Sequence, residues 1–129
     1  MLVRSFALLA ATALLSLGFG TGTAHAVTLR TLFVFVDSDQ SIRVLVTNLG
    51  TKPLTDLTVT LRDTFGNVDA PFADFCAENG PLPPGNTCQV VYTVNHRGFA
   101  TVMAKGKISA SAQVIAPGPA LVAVFPATK

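Results

Sequence analysis

A period of two runs through most of the chain beyond residue 40. In Ser41 to Asn48, Ile42, Val44 and Val46 fall on one face, with Arg43 and Thr47 on the other. Leu57, Val59 and Leu61 alternate with Thr58, Thr60 and Arg62, and Cys88, Val90, Tyr92 and Val94 alternate with Gln89, Val91 and Thr93. Successive side chains of a strand point to opposite faces, so alternation in segments rich in β-branched and aromatic residues predicts half-buried strands. Thr31 to Val36 is apolar on both faces, with Phe33 and Phe35 set against Leu32, Val34 and Val36. It predicts a central strand, or one covered by another part of the chain or by a partner.

Turn formers punctuate these segments at Asp37 to Gln40, Asn48 to Pro53, Phe65 to Asn67 and Pro81 to Asn86. The prolines at 81, 83 and 84 cannot donate to a ladder and place that stretch outside a sheet interior. Ala100, Val102, Ala104, Ile108, Ala110, Ala112 and Val114 keep one parity, with Ser109, Ser111 and Gln113 opposite. That run exceeds the usual strand of about 5–6 residues, which predicts one long strand bent at Gly106 or two strands. Pro117-Gly118-Pro119 sets off a last strand, Ala120 to Phe125. Together the segments predict an all-β, immunoglobulin-like sandwich of two antiparallel sheets, about seven strands in all, with little or no helix.

The start of the chain reads differently. One basic residue, Arg4, precedes an apolar run from Phe6 to Leu17, and small residues follow to Ala24-His25-Ala26. These are the three parts of a secretory signal. The run is short for a membrane crossing, which takes about 20 apolar residues, and no cysteine lies near the cut to take a lipid. Cleavage between Ala26 and Val27 is expected, giving a signal peptide over 1–26 and a single domain over 27–129, exported to the periplasm or the exterior. Every later apolar stretch is interrupted by charged or turn residues, so no membrane span is expected in the mature chain.

Removing Arg4 lowers the formal charge from +2 to +1, too little to draw nucleic acid or an anionic membrane. Both cysteines, Cys76 and Cys88, fall in the exported part. An even pair in an oxidising compartment reads as a disulfide; two cysteines with no nearby histidine do not complete a tetrahedral metal set.

Cys76-Ala-Glu-Asn-Gly-Pro-Leu-Pro-Pro-Gly-Asn-Thr-Cys88, the strand Gln89 to Val94 and Gly98-Phe-Ala-Thr-Val102 follow one another along the chain. This succession resembles the bacterial immunoglobulin-like modules related to ASH (abnormal-spindle and hydin-type) domains. Those carry a cysteine, a Leu-x-Pro-Gly turn, a second cysteine opening a strand, and a glycine leading into the next. Ser41 to Thr60, with Asn48-Leu-Gly-Thr-Lys-Pro-Leu54 between two strands, resembles the same family's upstream element. The resemblance spans about residues 41–105. Tyr92-Thr-Val94-Asn stands where the family often has Phe-Thr-Pro, and the alanine-rich tail after Lys107 has no counterpart in it. Such modules imply a scaffold or binding role and carry over no catalytic residues.

Candidate chemistry is sparse. Nucleophilic catalysis needs a base beside a Ser, Thr or Cys; His96 is the one histidine after the cut, it sits between two strands, and no Gly-x-Ser-x-Gly elbow accompanies it. The mature acids are Asp37, Asp39, Asp56, Asp63, Asp69, Asp74 and Glu78, mostly in or beside turns. Asp37-x-Asp39 lacks the glycine and distal glutamate of a calcium loop and reads as turn chemistry. A copper site needs several Met and His side chains, and the mature chain offers Met103 and His96. No Walker loop, dinucleotide fingerprint or basic-aromatic stripe occurs. No catalytic, cofactor or metal residue is therefore assigned. The expected function is a non-enzymatic structural or protein-interaction module, meeting another protein through a sheet face or edge. A small periplasmic ligand- or metal-binding protein is the alternative.

Overall fold

The computed structural model describes residues 26–93 and 97–129. In chain order the strands are β1 (Val27–Arg30), β2 (Ser41–Asn48), β3 (Thr58–Arg62), β4 (Val68–Asp69) and β5 (Ala73–Asp74). One helical turn, α1 (Phe75–Glu78), precedes β6 (Thr87–Tyr92), β7 (Phe99–Ala104), β8 (Ile108–Ala116) and β9 (Ala120–Pro126). They form two sheets, β1-β7-β3-β4 and β5-β6-β2-β8-β9, with every pairing antiparallel. The two-sheet sandwich expected from the alternation is thus present. The described strands exceed seven because β4 and β5 are two-residue pieces, too short to leave a periodic signal.

The alternation sets the core. Ile42, Val44 and Val46 of β2 are fully buried, and Cys88, Val90 and Tyr92 of β6 turn inward across from them. Leu61 of β3 and Ala100, Val102 and Ala104 of β7 supply the facing sheet. Burying a side chain of Val or Leu size stabilises by about 1.5–3 kcal/mol, so this interleaved set drives the packing of the two sheets.

An immunoglobulin constant domain orders one sheet A-B-E-D and the other C-F-G. Here β2, β6 and β5 take the B, E and D places, and β3 and β7 take C and F. The place beside β2 that strand A would hold belongs to β8. The place beside β7 that strand G would hold belongs to β1. The ends of the chain have exchanged sheets relative to that order, so residues 108–126 complete the sandwich instead of projecting from it.

Three expectations from the sequence need correction or refinement. Thr31 to Val36 is not a strand. Pairing begins earlier, with Val27 to Arg30 against Ala104 to Thr101, and Val34 alone re-forms a bridge, to Gly98. The register of β1 would put Phe33 there, so one extra residue is accommodated between Thr31 and Val34. Thr31 holds the departure point: its N–H donates to the Ala100 carbonyl and its hydroxyl accepts from the Ala100 N–H. Only Val34 of this apolar stretch is fully buried, and Leu32 and Phe35 stay 75% and 69% exposed. Among the described residues no strand or segment covers Leu32 or Phe35, and Phe33 and Phe35 pack on each other with centroids 4.7 Å apart.

The strand expected to run to Val94 ends at Tyr92. Phe99 to Ala116 is two strands, parted at Lys105 to Lys107, and they belong to different sheets. The signal-peptide residues before Ala26, and His96, lie outside the described residues.

Candidate interaction surface

Sandwiches expose sheet edges, and natural proteins shorten, cover or charge them. Three of the four edges follow that rule. β4 and β5 are two residues each, and they carry Asp69 and Asp74. β1 is four residues, and its outer side is met at Arg30 by Thr128, which exchanges both backbone hydrogen bonds with it at 2.8 Å.

β9 departs from the rule. It is seven residues long, pairs with β8 on one side, and has no hydrogen-bonded neighbour on the other among the described residues. Residues 108–128 contain no charged side chain. Phe125 and Ala123 turn inward, opposite Ala112 and Val114. Val124 turns outward opposite Gln113, and a bulge at Val114/Ile115 leaves Val122 without a facing residue on β8. Leu121, Val122 and Val124 are 56%, 53% and 50% exposed. A long, uncharged, apolar open edge is a template for another strand.

Ala127 donates across the sheet to the Ala110 carbonyl, while Thr128 turns both its groups outward to Arg30. Bonding alternates along an antiparallel strand, so Val124 presents N–H and C=O outward and Pro126 presents only its carbonyl, while the bulge breaks the alternation at Val122. Proline at an outward position is where an edge tolerates it.

The outer face of the same sheet is mostly polar and weakly charged. Across it run Ala73, Val91, Arg43, Gln113 and Val124, in register from β5 to β9. Arg43 is the charge in that row, and its Nε is buried without a hydrogen-bond partner. Near Leu45 the face has an open hollow of about 320 Å³, whose wall includes Phe75, Asn79 and Gln89. A neighbouring one of about 280 Å³ is lined by hydroxyls of Thr47, Thr87, Ser109 and Ser111. The Thr47 and Thr87 hydroxyls are already bonded to each other at 2.7 Å.

The residues weighed earlier for chemistry are dispersed. Asp37 accepts from Gln40 in a turn. Asp63 accepts from Phe65 and Asn67 and shapes the β3–β4 hairpin. Asp74 caps α1 through Ala77, and Asp56 accepts from the Lys105 N–H. Met103 is partly exposed. Among the described residues no three His, Cys, Asp or Glu side chains gather as a metal-holding group.

The two cysteines do come together. Cys76 of α1 and Cys88 of β6 form a disulfide with a Cα–Cα distance of 5.1 Å. The sequence marked Asn48 as a turn former and as the start of the family-like Asn48–Leu54 element, and the structure shows it organising the same end of the molecule from within. It is fully buried; its amide donates to the carbonyls of Lys52 at 2.8 Å and Leu82 at 2.9 Å, and its side-chain oxygen accepts from Gly50 at 2.9 Å.

Comparison with family models, with curated proteins and with solved structures finds no match for this chain.

Proposed function

We propose that this protein is an exported, non-enzymatic interaction module that docks by extending its five-stranded sheet at β9. The open, uncharged edge of β9 carries the proposal: main-chain groups there would supply affinity, and the exposed Leu121, Val122 and Val124 would supply apolar contact. Export is supported by the leader-like start and by a cysteine pair of the kind that persists in oxidising compartments. β1 opens at Val27, directly after the expected cut, so cleavage at Ala26 would remove no described strand. A binding role also agrees with the resemblance to ASH-type modules.

Mass spectrometry of the protein isolated from envelope or culture fluid should find a chain beginning at Val27. Bait carrying Val124→Lys should then lose the partners that wild-type bait retains from envelope extracts, without loss of fold. An uncut cytoplasmic chain would refute export, and equal capture by both baits would refute docking at β9.

A further inference from the structure

Asn79 closes α1 and Gly80 follows it, both exposed to solvent. The backbone nitrogen after an asparagine can attack that residue's own carboxamide carbon and close a five-membered ring. A side chain on the following residue hinders the attack, and hydrogen bonds to either group hold them apart. Neither obstacle is present here. Gly80 has no side chain, and nothing lies within 4 Å of where a Cβ would stand. Among the described residues, neither the Asn79 carboxamide nor the Gly80 N–H makes a hydrogen bond. Closure requires rotation about the Asn79 Cα–C bond, from a ψ of 3°. The hydrogen bond Asn79 does make, from its N–H to the Phe75 carbonyl at 3.2 Å, lies on the other side of that bond. Gly80 can absorb the accompanying change in its φ of 71°, since it lacks a Cβ.

The chain's other asparagines lack this freedom. Asn48 is buried, and its side chain bonds three backbone groups. Asn67 is held to Asp63 through both its nitrogens and precedes Val68. Asn86 precedes Thr87 and Asn95 precedes His96, so glycine follows neither.

From these observations we infer that Asn79 is a site of spontaneous deamidation. The Gly80 nitrogen bonds to the Asn79 Cγ, the Cγ–Nδ2 bond breaks, and ammonia leaves with the proton that the Gly80 nitrogen gives up. Water then opens either carbonyl of the succinimide, leaving aspartate or isoaspartate at position 79. Water is the sole co-reactant. The new carboxylate stands beside Glu78 and enters the wall of the hollow near Leu45, whose lining is otherwise uncharged. The Cys76–Cys88 disulfide and the Leu54–Leu82 bonds bracket the position, so the surface changes its charge while the loop keeps its anchors.

The purified, disulfide-bonded protein, held in mildly alkaline buffer, should lose amide nitrogen at residue 79 before any other asparagine. Peptide mapping should find both aspartate and isoaspartate there, each carrying one oxygen from isotopically labelled water. Conversion should quicken as pH rises, because the Gly80 nitrogen must give up its proton. Asn79→Gln should abolish the acidic form and leave the melting temperature unchanged. An acidic form that persists in Asn79→Gln, or conversion of Asn67 or Asn86 as fast as Asn79, would overturn the assignment. A native protein that keeps Asn79 while its reduced, denatured chain loses it would overturn it equally, because the fold would then protect the site.

Discussion

Residues 48–88 and the C-terminal hairpin of β8 and β9 both pack against the same sandwich, by different means. The first region contains only short strands, so many of its buried backbone groups find partners outside any ladder. Asn48 bonds three of them, Leu54 and Leu82 exchange a pair of backbone bonds, and Gly85 donates to the Asn48 carbonyl. The disulfide then fixes α1 to β6. The hairpin has no such devices. Its inner side is satisfied by pairing and apolar burial, and its outer side retains unpaired backbone groups with apolar side chains beside them. The difference separates a region that satisfies its own backbone groups from one that ends, among the described residues, in an open strand edge.

The contrast can be tested first at Asn48. Asn48→Ala removes three side-chain hydrogen bonds, while the Leu82 carbonyl keeps its bond from the Leu54 N–H, so a loss of about 3 kcal/mol is expected in denaturant unfolding. Asn48→Asp keeps the acceptor for Gly50 but neither donation, and should rescue little. A loss below about 1 kcal/mol would show that water replaces the side chain freely. Next comes the disulfide: Cys76→Ala with Cys88→Ala should cost about 3 kcal/mol by the loop-entropy account. The melting temperature should fall by several degrees while the far-ultraviolet β signal persists. An unchanged melting point would place the loop's order in Asn48 and the Leu54–Leu82 bridge alone.

A smaller effect is expected from alkali. Burial pushes the Tyr92 hydroxyl from 10.0 up to about 12, with the negative charges of Asp74 and Asp69 adding to the rise and a backbone hydrogen bond at Leu61 opposing it. The neutral phenol is favoured in the folded state, so its contribution is intact below pH 10 and declines as pH rises towards 12. Tyr92→Phe should flatten the stability profile over that window. A profile identical in both proteins would show that the phenol ionises without penalty.

The strands carrying the core were legible because one face is buried and the other wet: Ile42, Val44 and Val46, or Cys88, Val90 and Tyr92, can take only one register. Thr31 to Val36 misled for the converse reason. Apolar on both faces, it gives no parity to choose a side, and its position was settled by hydrogen bonds from Thr31 to β7. Pro84-Gly85 was legible as a turn: Asn86 donates to the Pro83 carbonyl and Gly85 has a φ of 79°, the left-handed conformation a type II turn needs there. The buried role of Asn48 was not, because a single buried amide has no period, and turn formers beside it looked sufficient to explain it. The exchange of β1 and β8 between sheets was equally hidden, since alternation specifies faces and not neighbours.

The smallest change is expected at the edge itself. In the monomer the Val124 side chain is half in water, facing Gln113 of β8 with no strand beyond it. Val124→Thr keeps the β-branched shape and exchanges a methyl for a hydroxyl that water can reach. Stability measured at high dilution should therefore shift by less than about 0.5 kcal/mol, the range of exposed substitutions away from special features. This near-neutrality is informative because residues that support the fold, such as Asn48, cannot show it. An exposed valine dispensable to the monomer, on a strand lacking the charges that protect other edges, is what the proposed docking at β9 requires. A loss above about 1 kcal/mol at Val124 would instead make the outer side of β9 part of the molecule's own packing and remove the contrast between the two regions.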